Sequence, residues 1–516
     1  MITFKYSLLL IIINVSTHSL WSQSPRYSAA IEAKIHRVED SLIYHGNTYL
    51  NAPRYSLADC MRKEGVPGVN VAVIKNFALE WVRSWGLADA RSGRPLTPQT
   101  LMKTGSVNKS INAFAFLKLM QDGVIDFDQD INEIMREWQF PYTRNKPIST
   151  YHLLSHTSGL WFHPVSTYDH GPFKPNLVKF LNRKKSPQDK SKPYLHTLWD
   201  PGLKYQYSNL GYSVSQQVLI ESTGSDYESF IKQAILDPLN MVYSLYTIDK
   251  KQHNFASGHW NGGKRVPGKF RPQVEFGPGG LWTTPEDLAK YVIELQLSYQ
   301  GISNKVLTKE STDFIFTPIQ QELPHSSILN QGLGSFLVNK KGGRKYFFHA
   351  GLSTGYTAMF IGSVEGGNGA VVLTNGPSES LVYAIVARIA EVYEWPDYLI
   401  DEARISGPID RTPKELAPFL GKFRCQEHPE NEVEISLWED KQLVMNFTGG
   451  EYAHPILAPL DEPHTFWAES FSLYSFTKLM FSREINAKMN QFQLSNAEKT
   501  TNWERVKMES LINEQP

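Results

Sequence analysis

The chain has 516 residues, of which 41% are hydrophobic, 12% aromatic and 20% charged. This content excludes a single small module and a largely disordered chain, and it predicts about two or three globular domains. The 52 Lys and Arg residues balance 52 Asp and Glu residues. No global positive field would therefore attract a phosphate backbone, and nucleic-acid binding is not expected.

The N-terminus carries the pattern of an export signal. Lys5 precedes an apolar run over residues 8–13, and small and polar residues follow, which predicts a secretory signal peptide over residues 1–22. The run is shorter than the roughly 20 residues that span a bilayer, so no stable membrane span is expected; an uncleaved anchor is the alternative. The mature protein is therefore expected to be periplasmic or secreted.

Cysteine content restricts both disulfides and metal sites. Cys60 and Cys425 are the two cysteines of the chain, and they fall in different predicted domains. Two separate buried thiols are the simpler interpretation, and a disulfide, which export would permit, is the alternative. With two cysteines, a Cys-rich metal framework is excluded.

Helical and strand periodicity alternate along the first 120 residues. Apolar residues at helical spacing predict an amphipathic helix over residues 29–44. Alternating apolar residues predict a hairpin with strands over 69–73 and 79–85. The pattern returns to a helix over 106–120, with Gly123 just past its end. A strand pair therefore leads into a helix that begins at a serine.

The middle of the chain is predicted to be helical and its continuation to be β-structure. Between about residues 126 and 300 the periodicity predicts helices over 150–155, 212–221, 227–236 and 285–297. Later alternation predicts strands over 336–338, 345–349, 356–361 and 370–373, and an apolar helix over 381–393. Strands at both ends with helices between them favour one sheet assembled from both ends of the segment and covered by helices.

A boundary is expected near Pro408, Pro413 and Pro418. Beyond it, short strands at even spacing are predicted over 421–425, 433–437, 443–447, 465–468, 478–481, 489–494 and 503–506. This spacing favours a small antiparallel β-barrel. We therefore predict an α+β domain over residues 23–405, with an antiparallel sheet flanked by helices and a helical subdomain, followed by a barrel over 406–516.

Ser106 and Lys109 form a Ser-x-x-Lys motif at the start of a predicted helix. Residues three apart on a helix share one face, so the two side chains can meet. A serine nucleophile needs a nearby base, and a lysine amine whose pKa is lowered by burial can supply one. Alone, however, the pattern also fits a helix cap followed by a surface lysine.

Two further motifs occupy positions typical of a cleft wall. Tyr207 and Asn209 form a Tyr-x-Asn motif in a predicted loop, and a His-Ala-Gly motif that runs from His349 to Gly351 ends a predicted strand. Motifs over 155–160 and 279–288 lie between them. In this order, the five motifs resemble the serine β-lactamase and penicillin-binding-protein family, with a likeness over roughly residues 30–400. The resemblance points to the branch of class C β-lactamases, DD-peptidases, D-aminopeptidases and esterases, and it implies a β-lactamase/transpeptidase-like fold.

The resemblance implies a role for each motif residue. Ser106 would be the acylated nucleophile, Lys109 would share its proton, and Tyr207 would relay protons to and from the leaving group. Asn209 would orient the substrate through its amide. The oxyanion hole would consist of the backbone N–H groups of Ser106 and Leu352. An acyl-enzyme mechanism of this kind needs neither a metal nor an organic cofactor, and neither is expected here.

The His-Ala-Gly motif departs from the family pattern, in which β-lactamases and DD-peptidases usually carry Lys-Thr-Gly. His349 and Gly351 stand in the outer positions of this motif, which lacks the permanent cation and the hydroxyl that commonly receive a substrate carboxylate. This change favours small esters, peptides or amides over β-lactams. Because an ordinary histidine has a pKa of about 6.5, a cleft-facing His349 would change charge near neutrality and assist anionic substrates only in mild acid.

The leading hypothesis is an exported serine hydrolase that forms an acyl-enzyme on Ser106 and acts on a small-molecule or peptide substrate. The alternatives are a β-lactamase or DD-peptidase, and a non-catalytic peptide receptor with the same fold. The C-terminal barrel resembles the lipocalin-like domain often appended to such enzymes. The oligomeric state is left open.

Three further patterns are interpreted as structural. Residues 351–355 match Gly-x-Ser-x-Gly, but a strand rather than a helix is predicted to follow, so Ser353 is interpreted as a turn residue. Residues 258–264 match part of a phosphate loop without the strand and helix that this loop requires. His152 and His156 are four residues apart but have no obvious third ligand, so we predict structural histidines beside the cleft.

Overall fold

The computed structural model describes most of the chain. The described residues are 27–43, 54–142, 146–161, 165, 167–168, 176–185, 193–319, 329–340, 343–396, 398, 412–427, 429, 432–438, 442–447, 456–459, 464–469, 476–482, 484–485, 488–495 and 500–506. The predicted signal peptide over residues 1–22 lies outside them. Among the described helices, none is both long enough and apolar enough to cross a bilayer.

The N-terminal part supplies one half of the main sheet. Its elements are α1 (Ala29–Glu39), β1 (Leu42–Ile43), β2 (Arg54–Tyr55), α2 (Leu57–Glu64), β3 (Gly68–Lys75), β4 (Ala78–Asp89), β5 (Arg94–Pro95) and β6 (Met102–Lys103). The hairpin of β3 and β4 confirms the predicted strand pair. The first helix is shorter than the predicted 29–44, because the chain leaves it at Asp40 and enters β1, whose partner is β2.

Helices dominate the middle of the chain, as predicted. A 3₁₀ turn over Gly105–Val107 precedes α3 (Asn108–Gln121), and the later elements are α4 (Ile131–Ile134), α5 (Thr150–Leu154), α6 (Leu177–Leu181), α7 (Asn209–Thr223), α8 (Tyr227–Ile231), α9 (Phe276–Gly279), β7 (Trp282–Thr283), α10 (Pro285–Tyr299) and α11 (Lys309–Phe316). The start of α10 illustrates the local cause: Thr284 caps the helix by accepting from the Asp287 N–H, and Pro285 occupies the first turn.

The second half of the sheet comes from β8 (Leu329–Gln331), β9 (Phe336–Lys340), β10 (Gly343–Ser353), β11 (Tyr356–Ser363) and β12 (Gly369–Thr374), and α12 (Glu379–Val392) follows. The eight strands are ordered β5-β4-β3-β12-β11-β10-β9-β8. Antiparallel pairing of β3 with β12, with Val71 opposite Val372, joins the two ends of the segment. The prediction of one sheet built from both ends is thus confirmed.

Side chains of the sheet alternate between two hydrophobic layers. In β3, Val71 and Val73 belong to the cluster that includes α1 and α12, whereas Ala72 and Ile74 belong to the cluster that includes α3 and α10. The same two-residue period governs β10, where Phe347 packs in the second of these clusters. Residues 349 and 351 share that face, because side chains two apart in a strand point the same way.

The C-terminal strands close into a barrel. After α13 (Pro413–Leu416), the elements are β13 (Gly421–Cys425), β14 (Glu432–Trp438), β15 (Gln442–Phe447), β16 (Ile456–Pro459), β17 (Thr465–Glu469), β18 (Phe476–Phe481), β19 (Glu484–Ile485), β20 (Lys488–Met489), β21 (Gln491–Ser495) and β22 (Thr500–Arg505). Eight of these strands form the closed barrel β13-β14-β15-β16-β17-β18-β21-β22. The predicted α+β class with a C-terminal antiparallel barrel is therefore confirmed.

The barrel has a hydrophobic core of its own. Its buried side chains include Phe419 from the segment that precedes the first strand, and this ring packs 4.8 Å from the rings of Phe466 and Phe481. Cys425 is a buried thiol of this core, and Cys60 is a buried thiol of α2. The structure therefore agrees with two separate thiols rather than a disulfide.

Candidate active site

Ser106 lies in the 3₁₀ turn Gly105–Val107, between β6 and α3, rather than in the α-helix predicted from residue 106. Gly105 has a φ of 54°, and a Cβ at this position would lie 2.6 Å from the carbonyl carbon of Leu352. Glycine is therefore required both by the left-handed backbone and by the close approach of β10. This approach places Ser106 against the sheet.

Lys109 lies one helical turn beyond Ser106, in α3. Its Nζ is 2.9 Å from Ser106 Oγ and donates to the carbonyl oxygen of Pro278 at 3.0 Å. The side chain is completely buried. Burial holds the pKa of the Lys109 amine well below its usual range, although the Glu275 carboxylate opposes this shift. A lysine in this state can accept a proton from the serine hydroxyl.

Short helix α9 fixes the start of α3. Asn108 Nδ2 donates to the carbonyl oxygens of Phe276 at 2.7 Å and Gly277 at 2.9 Å, while the Gly277 N–H donates to Gln216 Oε1 in α7. A Cβ at Gly279 would lie 3.2 Å from the carbonyl carbon of Gly105. The glycines of the 279–288 motif thus permit close backbone packing beneath the Ser106 turn.

Tyr207 lies on the other side of Ser106 and Lys109. Its phenol is hydrogen-bonded to the Ser106 side chain, and its ring centroid is 4.9 Å from Lys109 Nζ. Burial raises the pKa of Tyr207, and the bond to Ser106 opposes the shift, so the phenol keeps its proton at neutral pH. Asn209 is the first residue of α7 and is buried. The structure thus brings Ser106, Lys109 and Tyr207 together.

His156 holds the tyrosine in place. Its carbonyl oxygen accepts from the Gln206 N–H at 2.7 Å, its Nδ1 accepts from the Ser208 N–H at 3.0 Å, and its ring stacks on Tyr207 at 4.3 Å. His156 therefore contacts the residue before Tyr207, the residue after it and the phenol itself. The sequence predicts a structural histidine at this position but not its contact with Tyr207. The position of the 155–160 motif between the other motifs was a signal for this contact.

The other wall of the site is the exposed end of β10. The pairing of β9 with β10 ends at Phe348, so residues 349–353 form the sheet edge beside Ser106. A Cβ at Gly351 would lie 2.6 Å from the Ser106 nitrogen, and the Leu352 side chain is 47% exposed. The backbone of β10 therefore lies against the Ser106 turn, as an oxyanion hole between Ser106 and Leu352 requires.

His349 differs from the expectation in its position and charge. It lies within β10, which continues to Ser353, and its side chain is only 2% exposed. Burial, assisted by the nearby Lys109 amine, lowers the pKa of His349 to about 3, against the opposing hydrogen bond to Ala350. The expectation that His349 changes charge near neutrality is therefore wrong: the imidazole stays neutral because its charged form would be buried beside a lysine.

Ser353 and His152, from two of the patterns interpreted as structural, have structural roles. Ser353 ends β10 and is followed by β11 rather than by a helix, so it is not a nucleophile elbow. His152 completes a capping box with Ser149 at the start of α5. Within the described part of the chain, no group of three or more His, Cys, Asp or Glu side chains is arranged to hold a metal ion.

Comparison with known families agrees with this geometry. The family model described as beta-lactamase matches residues 56–393, which include every residue of the site. The chain belongs to the β-lactamase family. Among curated relatives of this β-lactamase-family protein, a β-lactamase of Yersinia enterocolitica is 26% identical over 208 residues, or 40% of this chain and 50% of the relative. Protein flp of Staphylococcus aureus strain MRSA252 is 25% identical over 328 residues, or 62% of this chain and 61% of the relative.

Solved structures confirm the β-lactamase-family fold. The octameric penicillin-binding protein homologue from Pyrococcus abyssi matches with a TM-score of 0.59 and 20% identity, over 86% of this chain and 98% of that protein. The structure described as SurE matches with a TM-score of 0.54 and 21% identity, over 87% of this chain and 97% of that one. At sequence identities of 20% and 21%, the similarity to these two structures shows a shared fold. The resemblance of the C-terminal barrel to a lipocalin-like domain stays a prediction.

Proposed function

We propose that this β-lactamase-family protein is an exported serine hydrolase that forms an acyl-enzyme on Ser106 and acts on small esters, peptides or amides. The observation that carries the proposal is the contact of Ser106 with two proton-handling groups of different acidity. Lys109 is a buried amine with a lowered pKa, and Tyr207 is a buried phenol with a raised one. At one and the same pH, the Lys109 amine can therefore act as the base and the Tyr207 phenol as the acid.

The first half of the reaction follows from these contacts. Neutral Lys109 accepts the hydroxyl proton across 2.9 Å, and Ser106 Oγ attacks the substrate carbonyl carbon. The resulting oxyanion receives hydrogen bonds from the backbone N–H groups of Ser106 and Leu352. Tyr207 passes its proton to the leaving alcohol or amine and recovers a proton from Lys109. The C–O or C–N bond of the substrate breaks, and an ester on Ser106 remains.

Water completes the cycle. A water molecule gives one proton to the basic site of Lys109 and Tyr207, its oxygen attacks the ester carbonyl, and Ser106 leaves with that proton. The acid product and the starting enzyme are formed. No change of oxidation state and no additional reactant besides water is involved.

The neutral state of His349 supports esters, peptides or amides over β-lactams. A cation that would pair with a β-lactam carboxylate is missing from that position, since burial keeps His349 uncharged. Hydrolysis of β-lactams or cell-wall peptides and non-catalytic peptide binding remain the alternative functions. The chain contains Ser106, Lys109 and Tyr207 in contact with one another, which favours catalysis over binding alone.

Labelling with a fluorophosphonate tests the proposal directly, because the reagent reacts with an activated serine. We expect peptide mass spectrometry to find the adduct on Ser106, and Ser106→Ala to abolish both labelling and turnover while the protein stays folded. Ser110 is the matched control: the hydroxyl of this buried serine of α3 is 2.8 Å from the hydroxyls of Tyr291 and Ser335, whereas the Lys109 amine contacts Ser106 Oγ. An unlabelled Ser106 in folded protein would contradict the proposal.

A further inference from the structure

Tyr356 is a buried residue of β11 that the proposed reaction does not use. Its side chain is completely buried, and its hydroxyl donates to the carbonyl oxygen of Ala256 at 2.8 Å, with that of Lys269 at 3.3 Å. Burial holds the pKa of the Tyr356 phenol well above its usual range, although a hydrogen bond with the Gly258 backbone opposes this shift. The hydroxyl therefore keeps its hydrogen at neutral pH and stays a donor.

One side of Tyr356 holds the turn between β10 and β11, which lies next to the proposed oxyanion hole. Tyr356 pairs with Ser353 across this turn, and Leu352 pairs with the next residue of β11. A Cβ at Gly258 would lie 2.8 Å from a carbon of the Tyr356 ring. The segment over residues 256–259 therefore packs directly on the ring, and the Tyr356 hydroxyl bonds to its first residue.

The other side of Tyr356 contacts the segment that leads into Ser106. Its ring lies edge-on to the Trp282 ring, with 5.4 Å between the ring centroids. Trp282 of β7 pairs with Lys103 of β6, and the chain reaches Ser106 three residues later. The Trp282 ring is held in turn by the Phe270 ring at 5.1 Å. Tyr356 therefore connects the turn between β10 and β11 with the strand that precedes the serine.

The two backbone donors of the proposed oxyanion hole lie on segments that pack very closely. A Cβ at Gly105 would lie 2.8 Å from the Leu352 nitrogen, and a Cβ at Gly351 would lie 2.6 Å from the Ser106 nitrogen. A shift of the turn between β10 and β11 relative to the Ser106 turn would change the spacing of the two N–H groups. A misplacement of about 1 Å in a catalytic site can reduce a rate about a hundredfold.

We infer that Tyr356 is a positioning residue for the oxyanion hole: its ring and hydroxyl fix the turn between β10 and β11, and with it the Leu352 N–H, against the segment that carries Ser106. Because its side chain is completely buried, Tyr356 acts through the backbone rather than on the substrate. This inference rests on the proposed acyl-enzyme chemistry of Ser106 and adds to it a residue outside the five motifs.

Tyr356→Phe tests the inference, because it removes the hydroxyl and keeps the ring. An oxygen ester is compared with the thionoester of the same structure, in which sulfur replaces the carbonyl oxygen. Sulfur is a weak acceptor, so the oxygen ester gains far more from well-placed oxyanion donors. We expect Tyr356→Phe to lower kcat on the oxygen ester about tenfold with little change in KM, and to lower kcat on the thionoester much less. The ratio of the two kcat values should therefore fall.

Tyr346→Phe is the matched control. Tyr346 is likewise buried, and its hydroxyl donates to a backbone carbonyl oxygen, that of Pro396. It lies in β10 but near the end of this strand remote from Leu352. We expect Tyr346→Phe to lower the thermal midpoint, since it also loses a buried hydrogen bond, and to leave the ratio of the two kcat values at the wild-type value.

Gly258→Ala is a second variant that acts on the same contact. Its added Cβ would lie 2.8 Å from a carbon of the Tyr356 ring, so the ring has to shift while the hydroxyl is retained. We expect the ratio of the two kcat values to fall in this variant as well. If Tyr356→Phe does not fold, Gly258→Ala decides the matter.

The outcomes distinguish the inference from the function on which it rests. A ratio that falls in Tyr356→Phe and stays at the wild-type value in Tyr346→Phe supports the inference. Labelling of Ser106 together with equal losses on both esters, with unchanged kinetics in Tyr356→Phe, or with a ratio that falls as far in Tyr346→Phe, would overturn the inference alone. Failure of Ser106 to label in the folded wild-type protein would overturn both.

Discussion

Two buried lysines lie three residues on either side of Ser106, and their contacts differ. Lys109 Nζ is 2.9 Å from Ser106 Oγ, whereas Lys103 Nζ donates to the carbonyl oxygen of Arg271 at 3.2 Å. Burial lowers the pKa of both amines, that of Lys103 to about 7. An altered pKa alone therefore does not identify the base, and the contact with Ser106 does.

We expect Lys109→Met to reduce kcat/KM by about 10²–10⁴, the usual contribution of a general base. Lys103→Met should change it by a few-fold at most, because this lysine faces a carbonyl oxygen rather than the serine. Ester hydrolysis and the rate of fluorophosphonate labelling provide the measurements. Comparable losses in the two variants would mean that the base is not Lys109.

His156 provides a second prediction at the residue scale. Its backbone has a φ of 59°, which asparagine tolerates better than most residues, and an asparagine oxygen can replace Nδ1 as the acceptor for Ser208. His156→Asn should therefore keep the loop but lose the ring stacked on Tyr207. We expect kcat to fall about ten- to hundredfold with little change in KM.

His156→Leu is a second variant that tests the contact between His156 and Tyr207. It loses the acceptor and strains the backbone, so both the thermal midpoint and kcat should fall further than in His156→Asn. A merely structural histidine would lower the thermal midpoint in both variants and leave the kcat of the remaining folded enzyme unchanged.

At the scale of elements, helices α2 and α12 each contain a carboxyl group with a raised pKa. Glu64 ends α2 and is 9% exposed, and burial raises its pKa to about 7 against an opposing hydrogen bond with Ser378. Glu379 begins α12, and burial raises its pKa to about 8. Both carboxyl groups therefore keep their protons up to a higher pH in the folded protein than in the unfolded chain.

The sign of the effect on stability follows from these values. A carboxyl group whose folded pKa lies above its unfolded value of about 4.5 favours folding fully below pH 4.5 and loses this contribution as the pH rises through about 7. Glu64→Gln, which stays neutral, should flatten the decline in stability between pH 4.5 and 7. The expected gain at pH 8 is on the order of 3 kcal/mol.

Denaturant unfolding at pH 5 and pH 8 measures this difference. Glu133→Gln, at an exposed position of α4, is the matched control and should change neither value. An equal change of stability at both pH values in Glu64→Gln would show that Glu64 ionises normally in the folded protein.

At the scale of the whole molecule, every residue of the site precedes the C-terminal barrel, and the barrel core is a cluster of its own. Arg505 of the last strand joins several segments of it: its guanidinium donates to the carbonyl oxygens of Pro418, Leu420 and Met489 and lies 4.7 Å from the Phe423 ring. The barrel thus carries its own stabilising contacts.

We expect a chain shortened to residues 1–405 to fold and to label at Ser106 at a rate within a few-fold of the full chain. Circular dichroism establishes folding, and mass spectrometry establishes labelling. Folded but unreactive protein would show that the barrel contributes to the site.

Much of this organisation was predictable from local pattern. The strand pair β3–β4, six of the helices between α3 and α12 and most barrel strands follow from periodicity, since a strand or helix with one buried face repeats every 2 or 3.6 residues. These helices are α3, α5, α7, α8, α10 and α12. The strand β16 was not predicted, because it ends at Pro459, a residue that disfavours strands unless neighbouring strands accommodate it. The sequence predicts a regular helix at Ser106, where the structure has a 3₁₀ turn. The turn packs tightly against β10, and such packing produces no periodic pattern in the sequence.

The sequence by itself determined the fold class, the family and the identity of the motif residues Ser106, Lys109 and Tyr207, because motif order and spacing are local properties of the chain. Tertiary structure decided the rest. It put His156 behind Tyr207 and buried His349 in a neutral state. Each of these depends on which distant groups and how much water surround a side chain, and the free energy of a buried charge changes by several kcal/mol with that environment.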